Sequence, residues 1–115
     1  MSWGTVELEP EVREWLEGLT AEHFGIAAFY IDLLAVEGVL LGDPYTRQLD
    51  GKLRELRFFL ERQAIRITYW IASARRIVLL TVFRKTRMRE IREIERARRA
   101  LATCIAAQHT VDEAR

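Results

Sequence analysis

The chain has little of the side-chain chemistry on which many secreted proteins and metalloenzymes depend. Its 115 residues include one cysteine, Cys104, and two histidines. A single thiol excludes an internal disulfide and a cysteine-based metal site, and it fits a reducing compartment. No stretch approaches the roughly 18 uninterrupted apolar residues of a membrane span, and the first residues show no signal-peptide pattern. We therefore expect a cytoplasmic protein with no membrane partner.

What the chain does contain is typical of a soluble, folded protein. Half of its residues are hydrophobic and 30% are charged, a composition that argues against disorder. A chain of 115 residues is large enough to bury a core and too short for two domains. We expect one domain over residues 1–115, with a frayed tail at about residues 108–115.

The net charge of +1 conceals a strong asymmetry along the chain. Residues 1–46 contain nine acidic side chains and one basic side chain, a net charge of −8. Residues 47–92 contain thirteen basic and four acidic side chains, a net charge of +9. A basic segment of this kind indicates an anionic partner more strongly than the overall charge does. A merely solvated basic face has the same composition.

The order of the predicted elements indicates an α+β fold. Turn residues at 42–45 and 50–51 precede three strand-like runs, whose short separations predict an antiparallel meander. The order β-α-α-β-β-β-α predicts a curled, mainly antiparallel sheet with the helices packed against one face. The predicted elements begin with a strand at 3–8 and a helix that starts at Pro10. A second helix starts after the cap Thr20 and ends at Gly38 or Gly42. Strands at 53–60, 64–71 and 77–83 and a helix at 88–107 follow.

Alternation of side chains in the strands predicts which basic residues can meet. In the two strands at 53–60 and 64–71, the more apolar sets should cover the core, which leaves Arg57 and Arg66 on the other face. In the strand at 77–83, Thr81 indicates that the odd-numbered side chains lie nearer water. Lys85 is also odd-numbered, so its side chain should point the same way. We therefore expect a helix-free face on which Arg57, Arg66 and Lys85 converge, with Arg84, Arg87 and Arg89 at its rim.

A basic concavity of this size suits a phosphodiester. Two guanidinium groups and an ammonium can hold the phosphate and neutralise the charge that develops in a pentacovalent transition state. RNA supplies its own nucleophile, the 2′-hydroxyl, so this chemistry requires neither a metal nor a protein nucleophile. Three basic residues on one sheet face also occur where they only confer solubility. Additional RNA contacts are expected from Arg54, Arg84, Arg87, Arg89 and Trp70, whose ring could stack on a base if it is exposed.

Several motifs in matching order resemble the phage-derived Gp49-like branch of the RelE/HigB toxin superfamily. They are GKLRELR at 51–57, RITY at 66–69, IVLLTVFRKT at 77–86 and EIERA at 93–97. The resemblance implies a RelE-like toxin that cleaves mRNA on the translating ribosome without a cofactor. It also implies an antitoxin partner, usually a helix-turn-helix protein in the HigB-like branch.

The resemblance also assigns roles to the basic residues. It implies that Arg66 is the main stabiliser of transition-state charge, that Arg57 orients the phosphate, and that Lys85 is a further stabiliser or a proton-transfer partner. Some relatives carry a tyrosine or histidine in or near the closing helix as an acid–base group, and residues 88–107 contain neither. Glu55 is an acid–base candidate or simply a charge partner of Arg57, and the general base is unidentified.

Two other functions fit the same architecture. One is a gyrase-poisoning toxin of the ParE kind, which does not need the basic triad borne by the strands. The other is a family member without catalytic activity that only binds nucleic acid or its partner protein. The triad favours RNA cleavage over both.

Overall fold

The computed structural model describes residues 2–87 and 90–113, with side chains described through residue 107. The elements follow the predicted order with one additional strand, so the fold is α+β as predicted. The elements in chain order are β1 (Thr5–Leu8), α1 (Pro10–Glu17), α2 (Ala21–Glu37), β2 (Thr46–Asp50), β3 (Leu53–Leu60), β4 (Gln63–Ala72), β5 (Arg76–Arg84) and α3 (Glu90–Glu113).

Local sequence signals explain where the first two helices begin and end. Pro10 opens α1, where a backbone N–H is not needed. Thr20 caps α2, and its hydroxyl accepts a hydrogen bond from the backbone N of His23 at 3.2 Å. Gly38 follows α2 with a φ of +54°, and a Cβ there would lie 2.1 Å from the ring of Trp3. Glycine is therefore required at this position by conformation and by space.

The five strands form one sheet in the order β1-β5-β4-β3-β2. Strands β3, β4 and β5 form the predicted antiparallel meander, and β1 pairs in parallel with β5. The unpredicted strand β2 joins β3 through a hairpin at Gly51, which has a φ of +55°. Its sequence TRQLD has no apolar alternation, because an exposed edge strand does not need to bury one of its faces.

The helices cover both faces of the sheet, so the predicted packing on one face is correct for α1 and α2 and wrong for α3. Helices α1 and α2 pack on the larger core, to which the strands contribute Leu56 and Ile67. Helix α3 packs on the opposite face through a smaller core that includes Trp70, Leu80 and Ala97. The apolar spacing of α3 predicts that it packs on something, but it does not define which face of the sheet it covers.

Helix α3 is also longer than predicted. It extends to Glu113, beyond the predicted end at residue 107. The backbone of the expected tail is therefore helical as far as the structure describes it.

Helix α2 is apolar around most of its circumference. Ile31 and Leu34 pack on the larger core, whereas Phe24 and Phe29 are exposed on the outer side. Residues Ala21–Leu40 are long and apolar enough to cross a membrane by length and composition, a property that core helices of soluble proteins share. Asp32 and Glu37 interrupt this segment. It is therefore not an uninterrupted apolar run of the kind that the sequence lacks.

A β-bulge in β5 changes which side its residues face. Thr68 is opposite Thr81, but the next residue, Tyr69, is opposite Leu79. Leu80 is therefore an extra residue in the strand, and Leu80 and Thr81 both face the α3 side. The predicted face is correct for Thr81 and wrong for Leu79 and Ile77, which are odd-numbered but lie in the larger core.

Candidate functional site

Arg57 of β3 and Arg66 of β4 are direct cross-strand neighbours. Both side chains lie on one face of the sheet, as alternation predicts, and both line a cavity of about 310 Å³. Like charges placed directly opposite each other on a sheet repel and destabilise it. This arrangement therefore favours an anion bound beside the two guanidinium groups.

Arg57 has spare capacity to bind such an anion. Its Nε is buried and has no hydrogen-bond partner in the part of the chain that the structure describes. A buried donor without an acceptor costs about 1–3 kcal/mol, a cost that a phosphate oxygen would remove. The orphaned Nε thus marks the arginine pair as a site for an acceptor.

Glu55 partly neutralises the arginine pair. It is 2% exposed, and its Oε2 lies 3.9 Å from the Nε of Arg66, which is itself 5% exposed. Burial raises the pKa of Glu55, and the charges of Arg66 and Arg57 oppose this increase. Burial lowers the pKa of Arg66, Arg57 lowers it further, and Glu55 opposes the decrease. Even with Glu55 ionised, the cluster keeps an excess of positive charge.

Lys85 extends the ladder between β4 and β5 by one residue. Its backbone N donates a hydrogen bond to the carbonyl of Ala64 at 2.8 Å, and its side chain is exposed. Phe83 is directly opposite Arg66, so Lys85 is the diagonal neighbour of Arg66 on the same face. The structure thus brings the three predicted basic residues to one face, although this face also carries α3 and is not helix-free.

Arg54 lies on the other face of the sheet. Its Nε donates to the hydroxyl of Tyr69 at 3.3 Å, and its Nη2 lies 3.5 Å from the hydroxyl of Thr46. Tyr69 is 1% exposed and belongs to the larger core. The structure therefore does not bring Arg54 to the arginine pair, and its predicted RNA contact is wrong for this surface.

Three further basic residues, Arg84, Arg87 and Arg89, were predicted at the rim of the site, and β5 ends at Arg84. Arg84 is exposed but lies opposite Ile65, so it faces away from Arg66. Arg87 is exposed in the segment that follows. Arg89 lies outside the described residues.

Trp70 lies on the face that alternation predicts, but its ring is not exposed. It is 5% exposed and packs against α3, where its indole N donates to the Sγ of Cys104 at 3.3 Å. Trp70 does share the face of Arg66, but α3 covers that end of the face. Burial raises the pKa of the Cys104 thiol, which disfavours the reactive thiolate form.

Sequence reasoning missed the aromatic side of the cavity. Tyr30 comes from α2 and Tyr45 precedes β2, so neither is near the arginines in the sequence. Phe59 follows Arg57 by two residues in β3, so strand alternation does place its ring on the face of Arg57. Besides the two arginines, the cavity is lined by Tyr30, Pro44, Tyr45, Phe58 and Phe59.

Among the side chains that the structure describes, in residues 2–87 and 90–107, those of His, Cys, Asp and Glu form no group of three or more that could hold a metal ion. The chemistry that the described residues offer is the binding and stabilisation of an anion by guanidinium groups. Such a site can neutralise charge that develops on a phosphorane.

The fold is similar to chains of two solved toxin–antitoxin complexes. One is the RelBE2 complex from Mycobacterium tuberculosis, with a TM-score of 0.55, 17% identity, and coverage of 71% of this chain and 98% of that chain. The other is the archaeal RelE–RelB complex from Pyrococcus horikoshii OT3, with a TM-score of 0.56, 21% identity, and coverage of 76% and 99%. No curated protein matches the sequence.

A family model gives the assignment that these distant structural matches do not. The model described as phage-derived protein Gp49-like (DUF891) matches residues 14–102. This range includes Arg57, Arg66 and Lys85 and all the motifs on which the resemblance was based. The chain therefore belongs to the phage-derived Gp49-like family, and it has a RelE-like fold.

Proposed function

We propose that this chain is the toxin of a type II toxin–antitoxin system and that it cleaves mRNA on the translating ribosome without a metal ion. The observation that carries the proposal is the pair Arg57 and Arg66, directly opposed on β3 and β4 beside a cavity. The similarity of the fold to chains of two toxin–antitoxin complexes supports the class.

In the proposed reaction the RNA supplies the nucleophile. Its 2′-hydroxyl loses a proton and attacks the adjacent phosphorus, and the bond to the 5′-oxygen breaks, which leaves a 2′,3′-cyclic phosphate and a 5′-hydroxyl. Arg66 stabilises the negative charge that develops on the phosphorane, and Arg57, which lines the same cavity, orients the phosphate. Lys85 adds charge stabilisation or supplies a proton to the leaving oxygen.

Glu55 acts in this scheme as a positioning residue. Because it is 2% exposed and paired with Arg66, it is poorly placed to take a proton from the 2′-hydroxyl of a bound RNA. Its charge instead compensates for the burial of Arg66. Of the two roles that the sequence left open for Glu55, this assignment favours that of a charge partner, although the ion pair is with Arg66 and not with Arg57.

The expected partners are an antitoxin, mRNA and the ribosome, all encountered in the cytoplasm. The antitoxin, expected to be a helix-turn-helix protein, would silence the toxin by covering the arginine pair or by holding the loop after β5. Arg84, Arg87 and Arg89 in and beside this loop are the proposed contacts to RNA phosphates.

Expression of matched variants in a bacterial host tests the proposal. The native chain should stop growth and fragment mRNA, and Arg57→Ala or Lys85→Ala should relieve both effects. Cleavage should slow about 10²- to 10³-fold for each lost charge-stabilising group. Arg66→Lys keeps a positive charge beside Glu55 but loses the guanidinium fork, so it should fold and still cleave slowly.

Arg13→Ala is the matched control, because Arg13 is an exposed arginine of α1, which packs on the other face. This variant should remain toxic and active. Growth arrest with intact transcripts would contradict the nuclease assignment. A supercoiling assay with purified gyrase would then test the ParE-like activity.

A further inference from the structure

We propose that the aromatic side of the cavity is a base-binding subsite, in which one RNA base stacks on Tyr45 and Phe59 while the adjoining phosphate lies at Arg57 and Arg66. The inference rests on the proposed function and names how the substrate is recognised there. It follows from the placement of aromatic rings and guanidinium groups around one cavity.

Tyr45 is fixed next to Arg57 by backbone hydrogen bonds. Its carbonyl accepts a hydrogen bond from the backbone N of Arg57 at 2.8 Å, and its own N donates to the carbonyl of Gly42 at 3.0 Å. The ring remains 39% exposed. The backbone positions that carry the ring and the guanidinium group are therefore fixed before any ligand binds, and the Tyr45 ring lies beside Tyr30 with ring centroids 6.3 Å apart. This preorganisation lowers the entropy cost of binding.

Phe59 reaches the cavity from the same strand as Arg57. It lies two residues further along β3, so it shares the face of Arg57, and it is 61% exposed. The neighbouring Phe58 is 3% exposed and stacks on Tyr30 with ring centroids 5.1 Å apart. One of these two phenylalanines thus builds the core, and the other leaves its ring available to a ligand.

The combination of groups defines the class of ligand. Aromatic rings bind bases by stacking with little regard to their identity, whereas guanidinium groups bind phosphate. A free inorganic anion would use only the arginines, and an apolar ligand would use only the rings. The cavity of about 310 Å³ is at the lower end of the size range of ligand pockets, which suits a single nucleotide.

Calorimetric titration with two ligands that differ only in the base tests the inference. Native protein should bind adenosine 5′-monophosphate about 5- to 150-fold more tightly than ribose 5-phosphate, the factor that stacking of one base provides. Tyr45→Ala and Phe59→Ala should each remove much of this preference and leave the affinity for ribose 5-phosphate unchanged. Tyr45→Phe should keep the preference, because stacking needs the ring and not the hydroxyl.

Phe24→Ala is the matched control, because Phe24 is an aromatic residue 48% exposed on α2 that does not line this cavity. It should bind both ligands like the native protein. Equal affinity of the native protein for the two ligands, or an unchanged preference in both alanine variants, would overturn the subsite.

The binding test is independent of RNA cleavage, so the two proposals can fail separately. A base preference that depends on Tyr45 and Phe59 supports the subsite even if transcripts remain intact in cells. Fragmented transcripts together with no base preference would overturn the subsite and leave the nuclease assignment in place.

Discussion

Among single residues, Glu55 and Arg66 stand out because both charged groups are almost fully removed from water. Loss of one partner from a buried ion pair costs about 3–5 kcal/mol, since the other charge is then uncompensated. Arg66 also has Arg57 directly across the strand, which makes the carboxylate more important for holding it. Glu55 therefore serves the fold and the site at once.

The pKa of Glu55 leads to a prediction about stability and pH. Because the pKa is raised above 4.5, the folded protein binds this proton more tightly than the unfolded chain does. The free energy of unfolding of the native protein, relative to that of Glu55→Gln, should therefore fall as the pH rises through and above about 4.5. Urea unfolding of both proteins between about pH 4 and pH 8 measures this difference.

Glu14→Gln removes an exposed carboxylate and controls for the loss of one negative charge. A difference between native protein and Glu55→Gln that grows with pH would contradict the prediction. It would mean that the neighbouring arginines outweigh the effect of burial on Glu55.

Alternation predicted that Arg57 and Arg66 share a face because the apolar residues of each strand determine which of its sides is buried. The same rule placed Trp70 on the correct face but not in the correct environment. Whether a ring on that face is exposed depends on α3, which follows later in the chain. The rings of Tyr30 and Tyr45 reach the site only through tertiary packing, so no local pattern could indicate them.

Among the elements, the end of α2 depends on one glycine. Gly38→Ala should lower the free energy of unfolding by about 1–3 kcal/mol, because it combines a positive φ with a collision against the Trp3 ring. Gly25→Ala, in the same helix, meets nothing within 4 Å and should raise stability by about 0.5–1 kcal/mol. Thermal or chemical denaturation of the two variants should thus give changes of opposite sign.

Elements whose limits depend on neighbouring residues could be predicted from the sequence, and elements that depend on pairing with other strands could not. The capped start of α2 and the Pro10 start of α1 could be predicted because they depend on neighbouring residues alone. Strand β2 could not be predicted, because its short polar sequence is held in the sheet by pairing with β3 and not by its own pattern. The bulge in β5 likewise depends on pairing with β4.

In the whole molecule, Glu11 and Arg96 join elements on opposite faces of the sheet. Glu11 of α1 accepts a hydrogen bond from the backbone N of Val82 at 2.8 Å and forms an ion pair with Arg96 of α3. Arg96 also donates to the carbonyl of Val82 at 3.3 Å and to Glu93 at 2.8 Å. The hydrogen bond to Glu11 raises the pKa of Arg96. This network closes the outer edge of β5 where β1 ends.

Arg96→Ala should therefore destabilise the protein more than the loss of an ordinary surface ion pair. We expect about 1–2 kcal/mol after allowance for solvent screening, together with faster hydrogen exchange in α3. Arg98→Ala is the control, because Arg98 and Asp50 form an ion pair with side chains 52% and 56% exposed. Its loss should cost no more than about 1 kcal/mol. Equal effects of the two variants in chemical denaturation would contradict the proposed linkage.

The extra residue Leu80 has a consequence for aligning this chain with its relatives. With strict alternation through β5, Lys85 would share a face with Leu79 and point away from Arg66. In a homologue whose strand lacks this extra residue, the cation that reaches an equivalent phosphate would be one position nearer the start of the strand. Column-by-column matching of the basic residue after this strand is therefore meaningful only between chains with the same strand length, and a shifted lysine need not mean a lost activity.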